Sequence, residues 1–231
     1  MTRHTPTSRR PKRGQPLSDT QGAALAHQFD DVRQQKDAAT LGMWVFLVTE
    51  VLFFGGLFAA YVVYRASYPA AWAEASHELD IMLGGINTVI LICSSLTMAL
   101  AVQGAQLGRR DMLIVFLALT ILLGGAFLGI KAVEYHHKYV EHHVPGASFA
   151  FPGPHAKQVE LFFALYFTMT GMHGLHMVVG IGLLVNLMRQ GWRGRFGPDY
   201  YTPVEMVGLY WHFVDIVWIF LFPLLYLLGR H

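Results

Sequence analysis

The sequence has little charge and almost no cysteine. Of its 231 residues, 14% are Asp, Glu, Lys or Arg and 54% are hydrophobic, a balance too apolar for a water-soluble surface. The single cysteine, Cys93, has no partner within the sequence. This excludes an internal disulfide, a cysteine-rich zinc site, an iron–sulfur cluster and a dinuclear copper site built on two thiolates. Together these absences indicate a membrane protein.

Charged residues are nearly absent from five long stretches of the chain. Each stretch has roughly 20 residues or more, which is enough for a helix to cross a hydrocarbon core about 30 Å thick. The sequence therefore predicts an all-α, polytopic membrane bundle, residues 41–231, with spans at about 41–65, 81–102, 112–134, 159–188 and 205–228. Residues 1–40 are expected to be a cytoplasmic tail, partly disordered, with either a short helix or a solvated linker from residue 18 onward.

Basic residues are unevenly divided between the two sides of the predicted bundle. Seven lie in the tail, two at the Arg109/Arg110 turn and three in the loop that contains Arg189, Arg193 and Arg195, while the five others lie on the opposite side. An excess of Lys and Arg marks the cytoplasmic side. The N-terminus is therefore expected in the cytoplasm and the C-terminus outside. The sequence begins without an early apolar run, so no cleavable signal peptide is expected. The basic tail is interpreted as a topology signal, not as a nucleic-acid site.

Five polar residues inside the predicted spans need an explanation, because an unpaired charge at such a position is costly. They are Glu50, His173, His176, His212 and Asp215. Such groups should face protein or water, and each is either a structural hydrogen-bonding group or part of proton transfer. Glu50, with Phe46, Phe53 and Phe54 close by in sequence, is a candidate proton carrier because desolvation disfavours its carboxylate.

The intramembrane histidines also raise the possibility of haem or metal ligation. His173 and His176 are three residues apart, as are His212 and Asp215, so each pair shares a helix face. Asp215 is expected to accept from His212 or from a neighbouring helix, and the two histidines to bond to carbonyls, Thr170 or tyrosine side chains across the bundle. A bis-histidine haem is the alternative, and it needs His212 opposite His173 or His176, which no spacing enforces.

A second histidine-rich segment follows the third predicted span. Glu134 and His137 have the Glu-x-x-His spacing of di-iron bundles, but a second such motif and two further carboxylates are missing. No metal site is therefore predicted. Lys131, Glu134 and Tyr135 are expected to form a polar motif at the edge of the membrane on its non-cytoplasmic side.

Four blocks in four predicted spans resemble one family. They are LGMWVFLVTEVLFFGG at 41–56, FLGIKAVEY at 127–135, TGMHGLH at 170–176 and YWHFVDIVW at 210–218. In this combination and order the chain resembles subunit III of the haem-copper oxygen reductases, the cytochrome c oxidase subunit III family, in its short five-helix form. The blocks are spread over most of the chain from Leu41 to Leu228.

The resemblance implies an accessory subunit of a proton-pumping terminal oxidase in the bacterial inner membrane. It implies that haem and copper belong to the partners, catalytic subunit I and copper-bearing subunit II, and that this chain holds no redox centre of its own. It also implies that the chain stabilises subunit I and supports proton uptake, with Glu50 at the position of the family's buried glutamate. Longer members have two further helices that form a lipid-filled cleft with the other five. Phospholipid is therefore a candidate ligand, although those helices are expected to be missing here.

Three other functions remain as alternatives. Subunit III of a quinol oxidase has the same short motifs and differs in electron donor. A self-contained membrane enzyme with haem or di-iron is a remote alternative, distinguished by colour and metal content of the isolated chain. A five-span transporter is expected to show inverted repeats or interrupted helices, and Pro223 is the sole proline well inside a predicted span.

Overall fold

The computed structural model describes residues 32–228. Six α-helices and one π-helical turn form its regular structure, and this part of the chain contains no β-strand. The elements are α1 (Val32–Ser67), α2 (Pro69–His77), α3 (Ile81–Gln106), α4 (Arg110–Val140), α5 (Ala156–Trp192), α6 (Thr202–Phe222) and the π turn (Pro223–Leu227).

Five of these helices are long and apolar enough to cross a membrane, namely α1, α3, α4, α5 and α6, the last together with the π turn. The predicted all-α bundle of five spans is thereby confirmed. Helix α4 continues six residues beyond its predicted end at Glu134, because helical hydrogen bonding does not stop where the apolar run stops. Helix α2 was not predicted. Residues 1–31 lie outside the described residues, as does most of the helix or linker predicted within 18–40; residues 32–40 are helical and continuous with the first span.

Helices α3 and α4 form a tight antiparallel hairpin. Gly108 has a φ of +66° in the turn, a conformation that glycine adopts without a Cβ clash. A Cβ atom on Gly104 would lie 2.9 Å from the backbone nitrogen of Leu113. Further along, the hydroxyls of Thr97 and Thr120 are 2.8 Å apart and hydrogen-bonded. The hairpin thus depends on a close backbone approach at its turn.

Trp211 of α6 is wedged between two glycines on neighbouring helices. A Cβ atom on Gly124 of α4 would lie 2.8 Å from the Trp211 ring, and one on Gly180 of α5 would lie 2.9 Å from it. The indole Nε1–H donates to Ser94 Oγ of α3 at 3.0 Å. One side chain therefore joins four helices, and the two glycines provide the space that its ring occupies.

Helix α1 meets the other spans through large side chains. Phe54 contacts Phe213 of α6 with ring centroids 6.2 Å apart, and the Tyr61 hydroxyl donates to the Leu224 carbonyl at 2.7 Å. Gly55 and Gly56, by contrast, have no neighbour within 4 Å of an added Cβ among the residues that the structure describes. Long side chains bridging to the bundle hold α1 in register and bring Glu50 to α5.

Candidate functional site: intramembrane polar clusters

The predicted polar residues do not converge on one site. They occupy three places: Glu50 with His176, Lys131 with Glu134, and His212 with Asp215. His173 and Tyr135 make separate contacts. The first place joins α1 to α5, the second joins α4 and α5 to the π turn, and the third lies between α3 and α6.

Glu50 and His176 are directly paired across two helices. Glu50 Oε2 lies 3.1 Å from His176 Nε2, and the two side chains are 19% and 14% exposed. Phe54 packs edge-on against the imidazole, with centroids 5.3 Å apart. The other ring nitrogen, His176 Nδ1, is 2.8 Å from the carbonyl oxygen of Met172. Neither group of the pair thus faces lipid without a partner.

The partners of His176 fix how many protons the pair holds. A carbonyl oxygen can only accept, so the contact with Met172 requires a proton on Nδ1. The contact between Glu50 and Nε2 then needs one further proton, which resides either on the carboxyl or on Nε2. In both states the pair has zero net charge, and loss of that proton leaves one negative charge.

A pocket of about 360 Å³ adjoins the pair, with Glu50, His176 and Tyr210 in its lining. The remaining lining is apolar and includes Met43, Phe46 and Leu175. The Tyr210 hydroxyl donates to the backbone carbonyl of His176 at 3.0 Å. The pair therefore borders a largely apolar space.

Lys131 and Glu134 form a closed hydrogen-bonded ring with two tyrosines. Lys131 Nζ donates to Glu134 Oε2 at 3.0 Å, to Tyr226 at 2.9 Å and to Tyr166 at 3.1 Å. Both tyrosine hydroxyls donate to Glu134 Oε1, at 2.8 Å from Tyr166 and 2.5 Å from Tyr226. All three ammonium protons are used, and Trp218 lies 5.1 Å from the cation. The ring therefore joins α4, α5 and the π turn.

The ring is enclosed within the bundle, a feature that the predicted membrane-edge motif did not include. Lys131 is 7% exposed and Glu134 is 3% exposed, because the two tyrosines from other elements cover them. Tyr135 is not part of the ring: its hydroxyl contacts Thr170 Oγ1 at 2.5 Å. Sequence reasoning missed Tyr166 and Tyr226, which carry no local signal since they lie on other helical segments.

His212 forms its hydrogen bond to another helix and not to Asp215. Its Nδ1 is 2.7 Å from Ser95 Oγ of α3. Asp215 is 3% exposed, and neither of its carboxyl oxygens has a hydrogen-bond partner among the described residues. The expected hydrogen bond to a neighbouring helix is thus present for His212 and missing for Asp215.

His173 is enclosed by aromatic rings. Its imidazole lies 5.4 Å from the Phe127 ring and 5.3 Å from the Trp218 ring, measured between centroids. Within residues 32–228 neither ring nitrogen has a hydrogen-bond partner. His173 therefore packs as an aromatic core side chain and lies apart from the pair that His176 forms one turn later.

The histidine-rich segment at the end of α4 contains a small ion-pair network. Glu141 Oε2 accepts from Lys138 Nζ at 2.5 Å and lies 3.4 Å from His143 Nδ1. Burial disfavours the Glu141 carboxylate, but the hydrogen bond and charge of Lys138 outweigh it and lower the pKa of Glu141. Burial, followed by the charge of Lys138, lowers the pKa of His143. No cluster of three or more potential metal ligands occurs in the described part of the chain.

Comparisons with known proteins identify the family. The family profile described as cytochrome c oxidase subunit III matches residues 25–230. The chain belongs to the cytochrome c oxidase subunit III family. The four blocks that suggested this resemblance lie in α1, α4, α5 and α6.

Relatives with two kinds of electron donor in their names match this subunit III chain. It is 34% identical to cytochrome c oxidase subunit 3 of Thermostichus vulcanus, over 92% of this chain and 97% of that one. It is 33% identical to cytochrome bo(3) ubiquinol oxidase subunit 3 of Pseudomonas aeruginosa, over 89% and 92% of the two chains. Quinol oxidase subunit 3 of Bacillus subtilis is 32% identical, over 82% and 86%. Because these identities are nearly equal, they favour neither cytochrome c nor quinol as the electron donor.

Proposed function

We propose that this chain is the non-redox subunit III of a proton-pumping cytochrome c oxidase in the bacterial inner membrane. The family assignment and the five membrane-crossing helices support the proposal. The partners are catalytic subunit I, which holds haem and copper, and copper-bearing subunit II. In keeping with the distribution of basic residues, the N-terminus lies in the cytoplasm and the C-terminus on the outer side.

The pair of Glu50 and His176 carries the functional part of the proposal. Its atoms, 3.1 Å apart, share one proton in a pair without net charge. An uncharged pair is tolerated inside the membrane, and release of one proton to water in the adjoining pocket gives a short-lived anion. The pair thereby stores a proton close to the catalytic subunit and supports proton uptake from the cytoplasmic side.

The other clusters stabilise the subunit, in this proposal. The ring of Lys131, Glu134, Tyr166 and Tyr226 has all its strong donors and acceptors paired internally, so it holds α4, α5 and the π turn together. A bundle fixed in this way can in turn support subunit I. Membrane phospholipid covers the remaining apolar surface.

Copurification tests the proposal. The full chain, tagged and extracted in mild detergent from cells that express the complete oxidase, should bring subunits I and II with it, together with haem and copper. After dissociation in strong detergent the chain should be colourless and free of metal. Metal or haem that stays with the separated chain would support the alternative of a self-contained membrane enzyme.

The electron donor is decided by the same preparation. The complex should oxidise reduced cytochrome c and consume oxygen, and a soluble ubiquinol analogue alone should not sustain turnover. The opposite result would assign the chain to a quinol oxidase, an alternative that the relatives from Pseudomonas aeruginosa and Bacillus subtilis keep open.

A further inference from the structure

A pocket of about 400 Å³ opens between α3 and α6. Its rim is aliphatic and exposed: Ile92, Leu96, Ile216 and Ile219 are between 46% and 61% exposed. Its polar groups are Ser95, His212 and Asp215. The pocket therefore combines a surface suited to the membrane interior with a small polar floor.

Asp215 gives this floor an unused hydrogen-bonding group. The residue is 3% exposed, and both carboxyl oxygens lack a hydrogen-bond partner in the described chain. Ser95 lies close enough to act on the carboxyl without meeting the geometry of a hydrogen bond to it, and its Oγ is bonded to His212 Nδ1 at 2.7 Å. An unsatisfied carboxyl in an apolar medium is unfavourable by several kcal/mol. Something that lies outside this subunit should therefore supply a donor.

The depth of the pocket restricts what that donor is. Asp215 is the fourteenth residue of α6, so it lies about 20 Å along the helix from Thr202 and a similar distance from Leu227. Phospholipid headgroups lie about 15 Å or more from the middle of the hydrocarbon core. Acyl chains can fill a pocket at this depth but offer no donor. A polar side chain on a transmembrane helix can both fill it and bond to Asp215.

We propose that this pocket, with Asp215 at its floor, is the docking site for a transmembrane helix of another oxidase subunit. That helix inserts a hydrogen-bond-donating side chain between α3 and α6, which bonds to the Asp215 carboxyl. The exposed aliphatic rim packs against the apolar side chains around the donor. This inference rests on the proposed function, because it requires the chain to belong to a multisubunit oxidase.

Substitution of Asp215 tests whether its side chain binds another subunit or stabilises this subunit alone. In the complete complex, Asp215→Leu should lower retention of this subunit after a detergent wash by roughly fivefold or more. Asp215→Asn keeps a carbonyl acceptor and should retain most of it, as should the volume-conserving control Ile219→Leu at the rim. In the separated full chain, Asp215→Leu should leave thermal stability unchanged or raised, since it removes an unsatisfied group. Destabilisation of the separated chain comparable to its loss from the complex would overturn the proposal.

Photo-cross-linking identifies the occupant directly. Benzoylphenylalanine at Ile216, in the complete complex, should form an adduct with a transmembrane segment of another subunit, whereas the same probe at Val133, exposed on α4, serves as the matched control. Asp215→Leu should weaken the Ile216 adduct. An adduct with lipid, with a small amphiphile or with a second copy of this chain, and none with another subunit, would refute docking. Failure of the proposed function gives a different result: in the copurification experiment, no oxidase subunit then accompanies the unsubstituted chain.

Discussion

Glu50 on α1 and His176 on α5 share one hydrogen bond, with 3.1 Å between Oε2 and Nε2. The Met172 carbonyl holds a proton on the far nitrogen of the same imidazole. The pair therefore has one exchangeable proton, shared between the Glu50 carboxyl and His176 Nε2. Infrared difference spectra of the complex should contain a Glu50 carboxyl band that disappears in Glu50→Gln, the variant that assigns it.

Glu50→Gln should assemble normally and leave the optical spectrum of the complex unchanged. The Gln amide can donate to a neutral His176 Nε2, so the contact between α1 and α5 persists. Oxygen consumption should fall by less than about tenfold, mostly at high pH where protons are scarce, against the roughly hundredfold or larger loss expected for a group in the reacting centre. Glu50→Lys should block assembly, because it adds a charge inside the membrane. Normal turnover in Glu50→Leu at high pH would show that the pair does not serve proton supply.

Substitutions of Lys131 and Glu134 should have non-additive effects on the free energy of unfolding, because the two residues form one buried ion pair. Lys131→Met leaves Glu134 buried without its cation and should lower the free energy of unfolding by about 3–5 kcal/mol. The double variant Lys131→Met/Glu134→Leu should recover part of that loss, since no unpaired charge remains. Unfolding of the purified chain in mixed detergent micelles measures both. Tyr135→Phe, which removes a hydroxyl outside the ring, is the control and should cost about 1 kcal/mol. Additive losses in the double variant would contradict the coupling.

The two adjacent glycines of α4 should differ sharply in their tolerance of a methyl group. Gly124→Ala places a Cβ atom 2.8 Å from the Trp211 ring, and the indole is fixed by its hydrogen bond to Ser94. The variant should lose about 1–3 kcal/mol of stability through overpacking. The Cβ atom of Gly125→Ala meets no atom of the described residues within 4 Å, and the variant should be neutral or slightly stabilising, because alanine favours the helix. Equal unfolding temperatures of the two variants would contradict the close packing of Trp211 against Gly124.

The same glycines illustrate what periodicity in the sequence does and does not determine. Apolar runs were sufficient for the five spans, because a charge-free stretch of this length has few other stable environments. They were insufficient for α2, whose nine residues are too short and mixed to stand out. Small-residue spacing places Gly125 and Gly129 on one face of α4, yet within residues 32–228 no atom lies within 4 Å of a Cβ added to either. The glycines that make room for the indole, Gly124 and Gly180, are recognisable only once Trp211 is placed between them.

The hydrogen-bond partners of the intramembrane polar residues could not be predicted from sequence spacing either. Burial cost predicted that Glu50, His173, His176, His212 and Asp215 need protein neighbours, but the neighbours lie on other helices. Glu50 and His176 are 126 positions apart, and Ser95 and His212 are 117 apart. No spacing rule within one helix relates such residues. The spacing of His212 and Asp215 permits a hydrogen bond between them. His212 bonds to Ser95 instead, because α3 brings the serine within hydrogen-bonding distance.

The His143 network should make stability depend on pH. Burial and the charge of Lys138 lower the pKa of His143, although Glu141 and Glu78 act in the opposite direction. The folded state therefore favours neutral imidazole. Its contribution is fully present above the unfolded pKa of about 6.5 and is lost as pH falls through the lowered folded pKa, with a slope of at most about 1.4 kcal/mol per pH unit. Glu141, whose pKa is also lowered, loses its contribution only in a more acidic range.

Unfolding measured at pH 7.5 and pH 5.5 should therefore show a less stable chain at the lower pH. His143→Phe provides the matched control, since the imidazole stacks on Phe163 with centroids 5.0 Å apart and planes 21° apart, and a phenyl ring can keep this contact without titrating. The loss between the two pH values should be smaller in this variant. An unchanged loss would assign the pH dependence to the chain's other histidines, and a greater stability at pH 5.5 in the unsubstituted chain would contradict the sign of the effect.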